Sequence, residues 1–354
     1  MLMYETVDVF TDVAFGGNPL AVVFGAEDLS AQEMLNICQE FKYSETTFVL
    51  PPADAAHTAQ VRIFTPAGEI PFAGHPNVGT ATVLAQRGEV FGRRLMGDAM
   101  VFEEEAGLVA MRILRDDAGA ATGAQLVTPQ PYESTGRVAV EEVAAALGIQ
   151  PGDIETSRHQ PLIGTTGLPF VLAELSSRDA LTRAVGNMAG FARAGPLFAA
   201  VDAVHCYYRC ATDDIVDIRC RMHCGPIMGS FEAPATGTTS TSSSSPSHVP
   251  GENILIALTN SEEMIVTCLF SGSANCALLG LLAEMEGKNT SEVGTLRLSI
   301  AQGVEMGRPS LLVGEADFTP DGAGEIRLGG SCVAMMQGAL VLGTTIGGGD
   351  GAKL

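Results

Sequence analysis

A carboxyl group and a helix mouth are the two features of this sequence best suited to chemistry. Glu45 sits in Tyr43-Ser44-Glu45-Thr46-Thr47-Phe48-Val49-Leu50, where a polar cluster runs straight into an apolar, strand-like segment. Enclosed in an apolar cleft, such a carboxyl is driven by desolvation towards the pKa range that passes protons near neutrality. On an exposed strand edge it is an ordinary surface glutamate. The helix mouth lies in residues 64–80, Phe-Thr-Pro-Ala-Gly-Glu-Ile-Pro-Phe-Ala-Gly-His-Pro-Asn-Val-Gly-Thr. A strand-like lead-in meets a tight Ala73-Gly74-His75-Pro76 turn, and the apolar run Val78–Leu84 starts at once. Pro76 fits the first helical position, where a missing N–H costs nothing, and Gly74 lets the backbone approach whatever lies above the turn. The N–H groups and positive dipole end of such a helix suit a carboxylate. His75 is placed either to hydrogen-bond that carboxylate or simply to pack at the helix start.

The elements that must hold these residues read as an α+β pattern. Tyr4–Val9 and Leu20–Phe24 are strands around a Gly-Gly-Asn-Pro turn, and Ser30 followed by Glu33 is a capping box for a helix to Phe41. Glu45–Leu50 and Gln60–Phe64 are strands, Pro76–Gln86 is a helix, and Val101–Ile113 and Gly123–Leu126 add strands. After a connection at Pro129–Pro131 come a helix at Val140–Leu147, a strand entry at Leu168–Leu172, and short helices at Arg178–Val185 and Met188–Ala194. Val204–Ala211 and Ile215–Cys224 form a hairpin around Asp213-Asp214. Ser273–Met285 is apolar nearly all round, as a buried helix should be.

Composition narrows the class. With 354 residues, 46% of them hydrophobic, the chain can bury a large core in two lobes. Its 20 basic and 41 acidic residues give a net charge of −21, which disfavours nucleic acid and anionic membranes. Glu5 and Asp8 interrupt any signal-peptide core, and Glu262 and Glu263 interrupt the longest apolar stretch, so a cytoplasmic enzyme is expected. Among the 8 cysteines, Cys206, Cys210, Cys220 and Cys224, with His205 and His223, raise the question of zinc. On a strand, residues four apart lie roughly 13 Å from one another, too far for one tetrahedral ion. Reduced core or strand thiols are the expectation, and no metal is assigned. The dinucleotide fingerprint and the Walker-type phosphate loop are both missing, so no cofactor is expected.

Five segments, in order, carry a resemblance: Asp8-Val9-Phe10-Thr11-Asp12-Val13-Ala14-Phe15-Gly16-Gly17-Asn18-Pro19, Tyr43–Val49, residues 64–80, Glu232-Ala233-Pro234-Ala235-Thr236-Gly237, and Gly294–Ser310. The set resembles the phenazine-biosynthesis PhzF-like family of isomerases, which shares its fold with diaminopimelate epimerase and proline racemase. The likeness runs from Tyr4 to Leu342. It implies two similar lobes, each a curled mixed sheet around a central helix, with the site between them. The expected division is an N-terminal lobe over residues 1–127 and a C-terminal lobe over 128–320. Final strands follow at 321–342, then a flexible tail at 343–354. Glu45 matches the family's general acid/base. Gly74, His75, Pro76, Thr236, Gly237 and Ser273 fall where a small anionic substrate would be held, and a homodimer is expected from the family's habits.

Two departures stand out. The family's second cleft motif, Glu-Asp-Pro-x-Thr-Gly-Ser-Ala, runs straight into its helix, whereas here Thr238–Gly272, with a Thr-Ser-Thr-Ser-Ser-Ser-Ser-Pro-Ser tract, intervenes. The tract cannot bury enough apolar surface to order itself. It reads as a surface insertion or, the favoured reading, as translated non-coding sequence whose removal rejoins Gly237 to Ser273. Second, Ala233 stands where relatives carry an aspartate. Three functions follow in order: a cofactor-independent isomerase, a non-catalytic small-molecule binder or interaction protein, and an amino-acid epimerase or racemase. The third is opposed by the lack of a thiol pair at Ala73 or Gly74 and at Ala233.

Overall fold

The computed structural model describes residues 1–195, 198, 201, 203–211, 214–225, 232–233 and 271–342. The first half of the chain runs β1 (Leu2–Val9), β2 (Asn18–Phe24), α1 (Ala31–Phe41), β3 (Glu45–Leu50), β4 (Ala59–Thr65), β5 (Gly68–Ile70), α2 (Gly74–Arg87), β6 (Glu89–Val90), β7 (Arg93–Arg94), β8 (Ala99–Glu104), β9 (Gly107–Arg115) and β10 (Ala121–Val127). The second half runs β11 (Glu133–Arg137), α3 (Val140–Leu147), β12 (Leu162–Thr165), β13 (Pro169–Glu174), α4 (Arg178–Arg183), α5 (Met188–Phe191), β14 (Ala203–Arg209), β15 (Ile218–Cys224), β16 (Glu232–Ala233), α6 (Ser271–Lys288), β17 (Gly294–Gln302), β18 (Ser310–Thr319) and β19 (Gly322–Leu340).

Strand pairing closes the first half into a ring. In the order β19, β1, β2, β3, β4, β8, β9, β10 the pairings are antiparallel, antiparallel, parallel, antiparallel, parallel, antiparallel, antiparallel. An antiparallel β10–β19 pairing then closes it. The second half repeats the series in the order β11, β12, β13, β14, β15, β17, β18, β19. Strand β19 therefore serves both halves, meeting β18 through Val313↔Gly329, β10 through Ser331 and β1 from Cys332 to Leu340.

Each half wraps one helix. Helix α2 is buried from Gly74 to Leu84, and Gly88, in the left-handed region at φ 73°, ends it. It packs so closely on β1 and β2 that a methyl added at Gly79 would lie 2.6 Å from Leu20 Cδ2 and 2.8 Å from Val9 Cγ2. Helix α6 is buried from Gly272 to Ala283. Outside the first ring, α1 opens with the reciprocal Ser30–Glu33 box and ends at Lys42 in the left-handed conformation. Strand β3, covered by α1 on one side and α2 on the other, is buried along its whole length.

The sequence reading is corrected in several places. Helix α2 starts two residues early, so Pro76 is its third residue; the absent N–H is still harmless within the first turn. Val101–Ile113 is a hairpin, turned at Glu105-Ala106. Helix α5 stops at Phe191, and the 204–224 hairpin strands are shorter than expected. Helix α6 begins at Ser271, inside the block read as inserted; the rest of that block, and the tail at 343–354, lie outside the described residues. Among the described residues no helix is long and apolar enough to cross a membrane.

Candidate active site

Glu45 opens β3, level with Leu20 of β2, at the end of the ring where α2 begins. Its exposure is 0%, and neither carboxyl oxygen has a hydrogen-bond partner. The nearest basic atom is His75 Nε2, 3.4 Å from Oε2 and too long for a good hydrogen bond. Burial pushes Glu45 up to about 8, against a smaller downward pull from Ser44. Burial also pushes His75 down to about 3. Both groups are therefore uncharged at neutral pH: a carboxylic acid beside a neutral imidazole, and not an ion pair.

His75 is the second residue of α2, so the N–H groups of Gly74 and His75 lie outside the helix's own hydrogen-bond ladder, which starts with Asn77 N–H to Ala73 O at 3.4 Å. The mouth of α6 faces them. A methyl on Gly74 would stand 3.4 Å from Gly272 Cα, and one on Gly272 would stand 3.3 Å from Gly74 Cα. The two inner helices thus meet N-terminus to N-terminus, summing two positive dipole ends at one point. Around that point are buried polar atoms without partners: Asn18 Nδ2, His75 Nε2 and Ser273 Oγ, besides both oxygens of Glu45. Ser44 Oγ donates to Asn18 Oδ1 at 3.3 Å. Buried polar groups are normally paired, so such a cluster is suited to a polar ligand that would satisfy it.

Of the residues expected here, Glu45, Gly74, His75, Pro76 and Ser273 stand at the two mouths. Thr236 and Gly237 lie outside the described residues. The glycine that abuts Gly74 is Gly272, and Ser271-Gly272-Ser273-Ala274 repeats the family's Thr-Gly-Ser-Ala with serine for threonine. Ala233 pairs with Met222 and Glu232 with His223 in the ladder with β15. Sequence reasoning missed Asn18 and Ser44 as cleft residues. It also missed Asn77 and Asn275, although both inner helices open Gly-x-x-Asn, at Gly74–Asn77 and Gly272–Asn275.

The cysteines do other work. Cys220 Sγ donates to Asn275 Oδ1 and Gln302 Oε1, each at 3.5 Å, and Cys206 Sγ to Arg221 O at 3.4 Å. Cys206 pairs with Arg221 and Cys220 with Tyr207, which sets the two thiols on opposite faces of the ladder. Among the described residues no three His, Cys, Asp or Glu side chains gather as a metal site would need.

Comparison with known proteins agrees with this architecture. Residues 7–243 match the family described as phenazine biosynthesis-like protein. The chain is 30% identical to the trans-2,3-dihydro-3-hydroxyanthranilate isomerase of Pseudomonas chlororaphis over 342 residues, covering 96% of this chain and 99% of that protein. It is 29% identical to an uncharacterized isomerase of Mesorhizobium japonicum, over 96% of this chain and 98% of that one. Among solved structures, a PhzF family protein of Bacillus anthracis superposes with TM-score 0.74 at 20% identity, covering 96% of this chain and 99% of that one. A hydroxyproline epimerase of Agrobacterium vitis superposes with TM-score 0.52 at 12% identity, covering 95% and 91%. With both curated relatives above named isomerases, a repeated lobe around each inner helix and a family match over most of its length, the chain belongs to the phenazine biosynthesis-like family.

Proposed function

We propose that this protein is a cofactor-independent isomerase in which Glu45 moves a proton within a small, carboxylate-bearing, unsaturated ring. The observation that carries this reading is the Glu45 carboxyl: wholly buried, unpartnered, raised to about 8 and 3.4 Å from His75 at the joined helix mouths. In its ionised form Glu45 takes a proton from one carbon of the bound molecule, and the electron pair shifts along the conjugated system. Glu45 then returns the proton to a second carbon. Nothing is gained or lost, so no redox partner is required. The backbone N–H groups of Gly74 and His75 and the Ser273 hydroxyl hold the substrate carboxylate, and the two dipole ends offset the repulsion of a strongly acidic protein. The curated relatives make trans-2,3-dihydro-3-hydroxyanthranilate the first compound to test.

Incubation with that compound in deuterated water reads the step directly. The wild type should place label at carbon, and Glu45→Gln should lower the exchange rate by about 10³-fold or more. Label entering equally in the variant ends the reading. Position 233 bears on the alternative, a binder without turnover, which its alanine favours. Ala233→Asp should raise turnover if that residue limits the rate. Thermal stabilisation by the compound, with no label entering the wild type or Ala233→Asp, would mark a binder.

A further inference from the structure

The pairing order of the two halves matches strand for strand, which sets α2 against α6, β8 against β17 and β9 against β18. Within this match the asparagine in the first turns of each helix corresponds, Asn77 with Asn275, and so does the last residue of each following strand, Glu104 with Gln302. In the second half the pair is joined: Asn275 Nδ2 donates to Gln302 Oε1 at 2.8 Å, and both residues are fully buried. In the first half Glu104 lies beside Asn77. Both of its carboxyl oxygens, and both Asn77 side-chain atoms, are buried without a hydrogen-bond partner. Asn77 Nδ2 can donate to either form of the acid, but Asn77 Oδ1 finds a donor on Glu104 only if the acid keeps its proton.

We propose that Glu104 is a positioning residue, held as a neutral carboxylic acid that donates to Asn77 Oδ1 and accepts from Asn77 Nδ2, doing for the mouth of α2 what the Gln302 amide does for α6. A carboxylic acid has the shape and the donor–acceptor pair of a primary amide, so the two halves then carry the same clasp. Asn77 follows His75 by two residues, so the clasp fixes the turn that aims the imidazole at Glu45. Burial pushes Glu104 up to about 8, with only the Asn77 amide acting against it. Its charged neighbours look elsewhere. Glu103 accepts from the N–H groups of Ala53 and Asp54 and pairs with His57, and Glu105 is exposed near Arg62. Opposite Glu104, β9 offers Gly107.

Thermal unfolding between pH 5 and 9 tests the clasp without any substrate. Glu104→Gln should keep the wild-type Tm at pH 5–6, while Glu104→Ala, which strands Asn77, should lower it by about 1–4 °C. Raised in the folded state, the acid favours folding below its unfolded value and that contribution fades as pH climbs to about 8. The wild type should therefore lose more Tm than Glu104→Gln between pH 6 and 9. If the alanine variant fails to fold, Gln302→Glu serves instead and should acquire a new fall in Tm over that range. A glutamine variant as damaged as the alanine one, or an unchanged pH slope in Glu104→Gln or Gln302→Glu, overturns the proposal. A second arm rests on the proposed reaction: with trans-2,3-dihydro-3-hydroxyanthranilate, Gln should restore the kcat that Ala loses. Failure of that reaction in the wild type leaves the Tm result standing.

Discussion

Burial moves Glu45 and His75 in opposite directions, and the consequence is a site that carries no charge at rest. If Glu45 acts first as a base, only its ionised fraction starts a cycle, about a tenth of the molecules at pH 7 for a group near 8. The value of kcat/KM should then climb with pH and level off above about 8. A profile already flat from pH 6 would mean that another group starts the reaction. The same residue weakens the fold as pH rises through that window, since its folded-state pKa lies above its unfolded one. His75 has the opposite sign: its pKa is lowered, so its contribution is present above the unfolded value of about 6.5 and fades as pH falls towards 3. Glu45 was legible in the sequence only through its neighbours' family pattern, because a single glutamate before Phe48-Val49-Leu50 does not reveal that α1 and α2 cover both sides of its strand. Glu104 was not legible at all. Three glutamates in a row, inside what reads as one strand from Val101 to Ile113, give no reason to single out the second, and only the repeat sets it apart.

At the level of elements, the close approach of helix and ring is the most exposed to substitution. Gly79→Ala forces a methyl against Leu20 and Val9 and should cost about 1–3 kcal/mol, read as a lower midpoint in urea at an unchanged slope. A midpoint within error of the wild type would mean that β1 and β2 give way easily. Elements with local signals were readable from sequence: the Ser30–Glu33 box, the exact span Glu45–Leu50, and Val140–Leu147 ended by Gly148. Strand β19 was expected only as unspecified final strands over 321–342, because its glycines look like breaks. They mark crossings instead. A methyl at Gly329 would lie 2.4 Å from Ala124 O, one at Gly330 2.9 Å from Leu311 O, and one at Gly338 2.8 Å from the Tyr4 ring. The β8–β9 turn was hidden in the same way, since Glu105-Ala106-Gly107 interrupts an otherwise continuous strand composition.

Across the whole molecule, Arg308 pins one half to the other. It follows β17 yet donates to Asp8 Oδ1 at 3.0 Å, to Gly16 O at 2.7 Å and to Gly17 O at 3.0 Å. Backbone bonds run alongside, from Gly17 N–H to Pro309 O at 2.9 Å and from Leu311 N–H to Phe10 O at 2.7 Å. The Gly294–Ser310 segment thus carries this tie between the halves as well as Gln302, which accepts from Asn275 at the mouth of α6. Arg308→Ala should cost about 1–3 kcal/mol after allowance for its partial exposure, and equilibrium unfolding followed separately in each half should show both weakened together. Loss confined to one half would relegate the contact to local packing. Strand β19 has a larger effect. Residues 332–340 form the stave that seals the barrel built from residues 2–127. Until that stave has left the ribosome, the leading half of the nascent polypeptide must wait as an open sheet with β1 unzipped on one side. Its closure therefore follows the making of about 200 intervening residues, a long-range event that slows folding.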